Sequence, residues 1–291
     1  MEESPLKRFI SDFCASRLAT AGAVLLLVIL FIALFAPWIS PQNPYDLAQL
    51  DVMDARLEPG AKLGNGHTAL LGTDDQGRDM LSGIFYGLRI SLLVASSATA
   101  LALLIGAVVG MLAAYVGGRT DGLLMRMADI QLSFPPILIA LVLLALLGQG
   151  TGKIIVALIT VQWAYYARTI RGAAMVERRR EYIEAAQVLA LPASRIVFRH
   201  LLPNCLPPLI VIATVQAASA ITLEATLSFL GLGLPITEPS LGLLIANGFN
   251  YMLSGKYWIS LFPGVALLIT IISINLVADQ LRDVLNPRLQ K

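Results

Sequence analysis

Between Arg17 and Asp46 the chain carries no charged side chain, and within that stretch "ATAGAVLLLVILFIALFAPWI" (19–39) is apolar almost throughout. About 20 such residues in a helix cross a hydrocarbon core of roughly 30 Å. Charge-free runs of the same character follow at 90–118, 130–152 and 257–278, and 201–237 is interrupted only by Glu224. A sixth candidate, 154–167, is bounded by Lys153 and Arg168. As a helix it rises only about 21 Å, so it spans only by borrowing from 148–152 and letting both flanking cations reach the headgroups. Hydrophobic residues make up 57% of the chain and charged ones 14%, against roughly 45–50% and about 25% in soluble domains. The fold class that follows is an all-α polytopic membrane protein with six transmembrane helices.

Charge placement orients it. With an even number of spans and both termini on one side, 15 of the 21 Lys and Arg residues fall on the side of the termini. The other 6 are Arg56, Lys62, Arg78, Arg89, Lys153 and Lys256. The positive-inside rule makes the first side cytoplasmic. The apolar run at 19–39 exceeds the usual 7–15 residues of a signal peptide and ends in "APWISPQ" without a small-x-small cleavage site, so it reads as a retained first span. The expected organisation is a cytoplasmic segment 1–18, a first span 19–39, an outer loop 40–87, a five-helix core 88–281 and a cytoplasmic tail 282–291. Cys14 and Cys205 fall near the reducing cytoplasmic face, where no disulfide is expected. His67 and His200 lie on opposite sides of the membrane, so no His-based metal site is expected.

The outer loop is rich in Pro and Gly and carries seven acidic residues; it reads as a solvated cap. "GGRTDG" (117–122) reads as a tight inner turn between the second and third spans. "GQGTG" (148–152) reads as an outer hairpin between the third and fourth. A second outer loop, 236–258, holds a short apolar segment with Tyr251, Tyr257 and Trp258, suited to the membrane interface. "GQGTGKI" (148–154) imitates a phosphate-binding loop but has Leu147 where that motif needs Gly and Ile154 where it needs Ser or Thr. With no nucleophile elbow and no metalloprotease motif either, covalent chemistry and nucleic-acid binding are not expected of this chain.

Residues 177–204 stand apart, with Arg178, Arg179, Arg180, Glu181, Glu184, Arg195 and Arg199 set among small and apolar positions. Ile183, Ala186, Gln187 and Ala190 recur at helical spacing, and Pro192 suits the first turn of a new helix. The segment reads as two short helices with a bend at 190–192. On physics alone two readings stand evenly: a helix resting on anionic headgroups, or a docking element.

"EYIEAAQVLALPASRIVFRHLLPN" (181–204) resembles the Glu-Ala-Ala loop of ATP-binding-cassette importer permeases. Glu184, Ala185 and Ala186 match its head, and Leu202 and Pro203 its tail. Ala190 stands where the family has glycine, His200 where it has isoleucine, and Pro192 supplies a break. "LLGTDDQGRDMLSGIFYGLRISL" (70–92), "RMADIQLSFPPILIAL" (126–141), "EATLSFLGLG" (224–233) and "FPGVALLITIISINLVADQLRDVLNPRL" (262–289) are similar, in order, to the dipeptide, oligopeptide and nickel permease subfamily with the shorter outer loop.

The resemblance implies a type I importer permease fold in a bacterial inner membrane, with 184–203 as the coupling helix that docks on an ATPase subunit. It implies a second, homologous permease, two ATP-binding-cassette subunits that hold ATP and Mg, and a periplasmic or lipid-anchored binding protein. The chain itself would bind no cofactor and catalyse nothing, and lipid surrounds it. The expected cargo is di- or oligopeptide; nickel chelates or glutathione are the alternative within the class, and an ATPase-independent secondary transporter is the alternative outside it. Gln162, Gln216, Glu224 and Asn275 are the candidate path residues. Glu224 would either attract a peptide's ammonium group or serve structure, and the recurrence of its string in the family favours structure. The polar amides have interhelical hydrogen bonding as their competing role. Asp74, Gly77, Arg78 and Asp79 form the outer-loop signature, with loop ordering favoured over contact with the binding protein.

Overall fold

A computed structural model describes residues 5–285 except 47, 49 and 236, and the side chains from 7 onward. Of the expected terminal segments, 1–4 and 286–291, with Arg288 and Lys291, lie outside the described residues. The helices in chain order are α1 (Pro5–Cys14), α2 (Arg17–Ile39), α3 (Met80–Val116), α4 (Gly118–Ser133), α5 (Pro136–Leu147), α6 (Thr151–Glu177), α7 (Glu181–Val188), α8 (Ala193–Phe229), α9 (Leu241–Phe249) and α10 (Trp258–Leu285). The outer loop adds a hairpin of β1 (Ala61–Lys62) and β2 (Thr68–Ala69), antiparallel with Ala61 opposite Ala69.

Four helices, α2, α3, α8 and α10, are long and apolar enough to cross a membrane, and α4 with α5 raises the number to five if that bent pair is one span. The expected third span, 130–152, is not a single helix. Its two halves meet at 90°, because Pro135 and Pro136 lack the N–H groups that would continue α4 and hold Phe134 extended. The expected turn at 117–122 is confined to Gly117 and Gly118, both with positive φ, after which Arg119 to Gly122 already belong to α4. The weakest expected span, 154–167, lies within α6, which runs 27 residues. It begins at Thr151 and continues past Arg168 and Arg171, whose charges meet Asp129 and Asp121 of α4; with those cations α6 is not among the helices long and apolar enough to cross, so four or five such spans stand where six were expected.

Helix α3 is the central strut, packing on α2, α6 and α8, while α10 packs on α2, α8 and α9. The α3–α6 contact is close because Gly106 and Gly110, four residues apart on one face, let the backbones meet. A Cβ on Gly106 would lie 2.5 Å from Trp163 O, and one on Gly110 would collide with Ala167 O. The second outer loop, 236–258, contains α9, which packs between α8 and α10 with Gly242 against Ala225 and Gly248 against Ser260. Trp258 is likewise buried, its Nε1 donating to Thr73 O at 3.3 Å, whereas Tyr257 is exposed.

Candidate functional site

Three places on this frame carry the residues singled out in the sequence. The first is the loop between α6 and α8. Arg178 Nη1 donates to Ala114 O and Tyr115 O, both at 2.9 Å, and so caps α3. Arg171 makes a paired contact with Asp121 at 2.5 and 2.6 Å. From this anchored end α7 folds back, burying Ile183 and Ala186, while Ile196 and Leu201 are buried at the start of α8; all four join one cluster with Met111, Ile170 and Cys205. The opposite face is open. Glu184, Ala185, Ala190, Pro192 and Pro203 are exposed, and Leu202 is half-buried. At the tip Val188 is 85% and Leu189 73% exposed, with Phe198 at 70% nearby.

The bend is a helix stop built on Ala190. Leu191 N donates to Ala186 O at 3.1 Å and Ala190 N to Gln187 O at 2.9 Å, the hydrogen-bond pair that closes a helix on a left-handed residue. Ala190 has φ 52°, a conformation that disfavours any side chain with a Cβ by about 1–2 kcal/mol. The glycine of the family pattern therefore has a backbone reason, and Ala190 carries the bend itself. Ala190→Gly is expected to stabilise this turn by about 1 kcal/mol, read as slower hydrogen exchange at the amides of 190 and 191. The second short helix expected before residue 204 is instead continuous with α8, through a wide π turn at Ile196–Leu201. Pro203, Pro207 and Pro208 cannot donate to the preceding turn, and such turns absorb that defect.

Sequence reasoning missed the tie that steadies this loop. Tyr182 Oη donates to Glu177 Oε1 at 2.5 Å, and Asn204 Nδ2 donates to Tyr182 Oη at 3.0 Å and to His200 O at 2.7 Å. Partial burial and the adjacent Glu177 carboxylate push the Tyr182 phenol up to about 12. The three residues sit in three helical segments, so their pairing has no local sequence pattern.

The second place is a cavity of about 450 Å³ between α5, α6, α8 and α10. Gln162, Gln216 and Asn275 line it together with Tyr165, Ser219, Thr222 and Thr226, and no Asp, Glu, Lys, Arg or His does. Glu224 is not among them. It is fully buried elsewhere on α8, accepting from Ser91 Oγ at 2.7 Å and Ser228 Oγ at 2.8 Å, with Ser240 at the start of α9 in hydrogen-bond reach. The carboxylate thus fastens α3, α8 and α9 to one another, and the structure separates it from the three amides grouped with it on sequence grounds.

The third place is the outer loop. Asp74 and Arg78, each 1% exposed, pair at 2.6 Å, and Asp74 Oδ1 also accepts from Gln76 N and Arg78 N, both at 2.9 Å. Asp79 caps α3, accepting from Ser82 N at 2.8 Å and Ser82 Oγ at 2.7 Å. Asp79 N in turn donates to Gln42 Oε1 at 2.7 Å. Gly77, with φ 79°, passes so close to Asp51 O that no Cβ would fit. All four signature residues are turned inward.

Asp75 beside them is the exception: burial and the neighbouring Asp74 raise its pKa. A carboxyl raised in the folded state binds its proton more tightly there than when unfolded, so the cap loses stability as pH rises from the ordinary carboxylate range through the raised value. Asp75→Asn is expected to remove this dependence and protect the loop at neutral pH, as measured by hydrogen exchange over 70–80 across pH 4–8.

Residues 106–291 match the family described as the binding-protein-dependent transport system inner membrane component. Residues 4–59 match the N-terminal TM domain of oligopeptide transport permease C. The chain belongs to this permease family: it is the non-catalytic, multi-pass inner-membrane component of an ATP-binding-cassette importer, a class that works with an ATPase and a substrate-binding protein. Among its relatives, the dipeptide transport system permease protein DppC of Escherichia coli K12 is 41% identical over 289 residues, covering 99% of this chain and 95% of that one. The di/tripeptide permease DppC of Pseudomonas aeruginosa is 38% identical over 288 residues, covering 99% and 93%. In fold, the chain is similar to a chain of the MetNI methionine ABC transporter in an inward-facing conformation, with a TM-score of 0.58 at 20% identity over 71% of this chain and 98% of that one.

Proposed function

We propose that this chain carries di- or oligopeptides across the bacterial inner membrane as one of two homologous permeases, driven by two ATPase subunits, one of them docked at residues 184–203. The observation that carries the coupling role is the tip of α7, where Val188 and Leu189 are exposed on a buttress fixed by Arg178, Tyr182 and the cluster around Ile183. An apolar tip in a segment that also exposes Arg195 and Arg199 fits a soluble partner's groove. ATP-driven movement of that partner would pass as a rigid-body push into α6 and α8 and reshape the cavity between them. ATP and Mg belong to the ATPases in this reading, this chain binds no cofactor, and both termini face the cytoplasm. The peptide cargo is supported by the two peptide permeases, similar along almost their whole length. The outer face meets a periplasmic or lipid-anchored binding protein.

The test is reconstitution of the purified complex in vesicles with its binding protein and a labelled dipeptide. ATP-dependent accumulation is expected; a chain that purifies without an ATPase would overturn the coupling role, and an intact complex that moves no peptide would overturn the cargo.

A further inference from the structure

Helix α1, Pro5–Cys14, belongs to neither the coupling loop, the cavity nor the outer cap, yet its two faces are sharply divided. At about 100° per residue, Phe9, Ile10 and Phe13 fall within an arc of about 100°, and Lys7, Arg8, Ser11 and Asp12 within an arc of about 140° on the other side. Ile10 is 53% exposed. Phe9 and Phe13 are half-buried and stack on each other with ring centroids 6.5 Å apart. A helix of this length is marginal in water without a surface to pack against, so the question is what covers its apolar arc.

Three observations answer it. First, α1 stands at the membrane boundary. Only Ala15 and Ser16 separate it from α2, which is long and apolar enough to cross, and Leu18 in the first turn of α2 is 70% exposed. Ser16 is extended, with φ −88° and ψ 113°, so α1 does not prolong α2; its hydroxyl caps the new helix by accepting from Ala19 N at 3.3 Å. Second, α1 is fixed to the bundle. It packs on α2 and α10, and Gln280 Nε2 of α10 donates to Asp12 O at 3.0 Å. Third, the charged side chains all lie on the arc away from Ile10, with Lys7 and Arg8 exposed, the division that a helix lying in a membrane surface requires.

We propose that α1 lies in the surface of the lipid leaflet on the N-terminal side of the chain, with Phe9, Ile10 and Phe13 below the headgroups and Lys7, Arg8 and Asp12 among them. Lipid is the occupant, and not a soluble partner, because α1 ends two residues from a span that itself sits in lipid. The side chains of residues 1–17 include three acidic groups, Glu2, Glu3 and Asp12, and three basic ones, Lys7, Arg8 and Arg17. Net attraction to anionic headgroups therefore cancels to first order, and burial of the apolar arc drives the contact. The inference stands on the membrane position of α2 and asks nothing of the cargo or the ATPase; the leaflet is the inner one under the orientation proposed above.

The experiment places a nitroxide on the assembled transporter in vesicles, at Ile10→Cys or at Arg8→Cys, one at a time. The background is Cys14→Ser with Cys205 left buried, and the signal of that background is subtracted. Dissolved oxygen, which enters lipid, and a water-soluble nickel chelate compete to relax the label. For an apolar face about 5–10 Å below the headgroup boundary, the ratio of oxygen to nickel access is expected to be at least about fivefold higher at residue 10 than at residue 8. The contrast is expected to survive removal of anionic lipid, and to survive about 1 M salt, where the Debye length is about 3 Å.

Nickel access that is equal at both positions puts α1 in water and overturns the proposal. A residue 10 shielded from oxygen and nickel alike is covered by protein, and overturns it too. A contrast that disappears in high salt overturns the apolar drive and makes the contact electrostatic. Should Ile10→Cys fail to assemble, Phe13→Cys on the same arc carries the test with the same expected contrast and the same contradicting results.

Discussion

Glu184→Lys is expected to abolish ATP-driven uptake, by at least about tenfold, in a transporter that still inserts and folds. Glu184 is exposed in the first turn of α7 and makes no ion pair within the described residues. The cost to the helix itself is small: an acidic residue near a helix N-terminus contributes about 0.3–1 kcal/mol through the helix dipole. Reversing a charge on a docked surface is larger, since truncating one member of a buried charged pair costs about 2–5 kcal/mol. A loss larger than the helix cost is the result expected of the proposed docking surface. Uptake and ATPase activity measured together distinguish the two: a coupling defect lowers uptake per ATP consumed, whereas misfolding lowers the amount of complex. Undiminished uptake by the variant would remove Glu184 from the docking surface.

Gly110→Leu is expected to be the most damaging single change in the membrane core. A Cβ on Gly110 would collide with Ala167 O and Ile170 Cγ2, so even a methyl group overpacks the contact, at about 1–3 kcal/mol. A leucine forces α3 and α6 apart along much of their shared length. Because α6 is the most polar of the long helices, its place in the membrane depends on that contact and on the pairs its arginines make with α4. Failure to recover complex by size-exclusion chromatography is the expected readout. Gly172→Ala is the control within α6, with nothing within 4 Å of the added methyl. It is expected to be neutral or stabilising by up to about 1 kcal/mol.

The residues that made the fold legible are those whose environment is set by the membrane. The charge-free run 19–39 lies within α2, 90–118 ends α3 and 257–278 begins α10. Where the same rule failed, a local signal was present but outweighed. "SFPP" breaks the run at 130–152, because Pro135 holds Phe134 extended and neither proline donates to α4; Pro207 and Pro208, by contrast, sit inside α8. The run 154–167 looked short because Lys153 and Arg168 bound it, and nothing local reveals that α6 runs on to Glu177 with Arg168 and Arg171 paired to Asp129 and Asp121 of another helix. The pair Gly106 and Gly110, which lets α3 meet α6, was not singled out in the sequence, and its spacing alone does not name a partner helix.

The bend in 181–204 was legible because the family pattern encodes a backbone requirement that Ala190 meets at φ 52°. The exposed tip at Val188 and Leu189 was not, since apolar side chains on a membrane protein carry no mark of which face they take. Glu224, Gln162, Gln216 and Asn275 were grouped by being polar in apolar runs. Only the packing of α8 separates them, turning Glu224 toward Ser91 and the amides toward the cavity.

The account depends most on what the tip of α7 touches. Val188→Cys, in a Cys14→Ser background with Cys205 left in its buried site, gives this chain one exposed thiol, at the tip, in the assembled transporter. A short bifunctional thiol-to-amine reagent is predicted to join this chain to an ATPase subunit, with the yield changing when ATP is bound. A thiol that joins to no ATPase in any nucleotide state, and is quenched instead by a reagent confined to the lipid, would contradict the account and put α7 on the membrane surface.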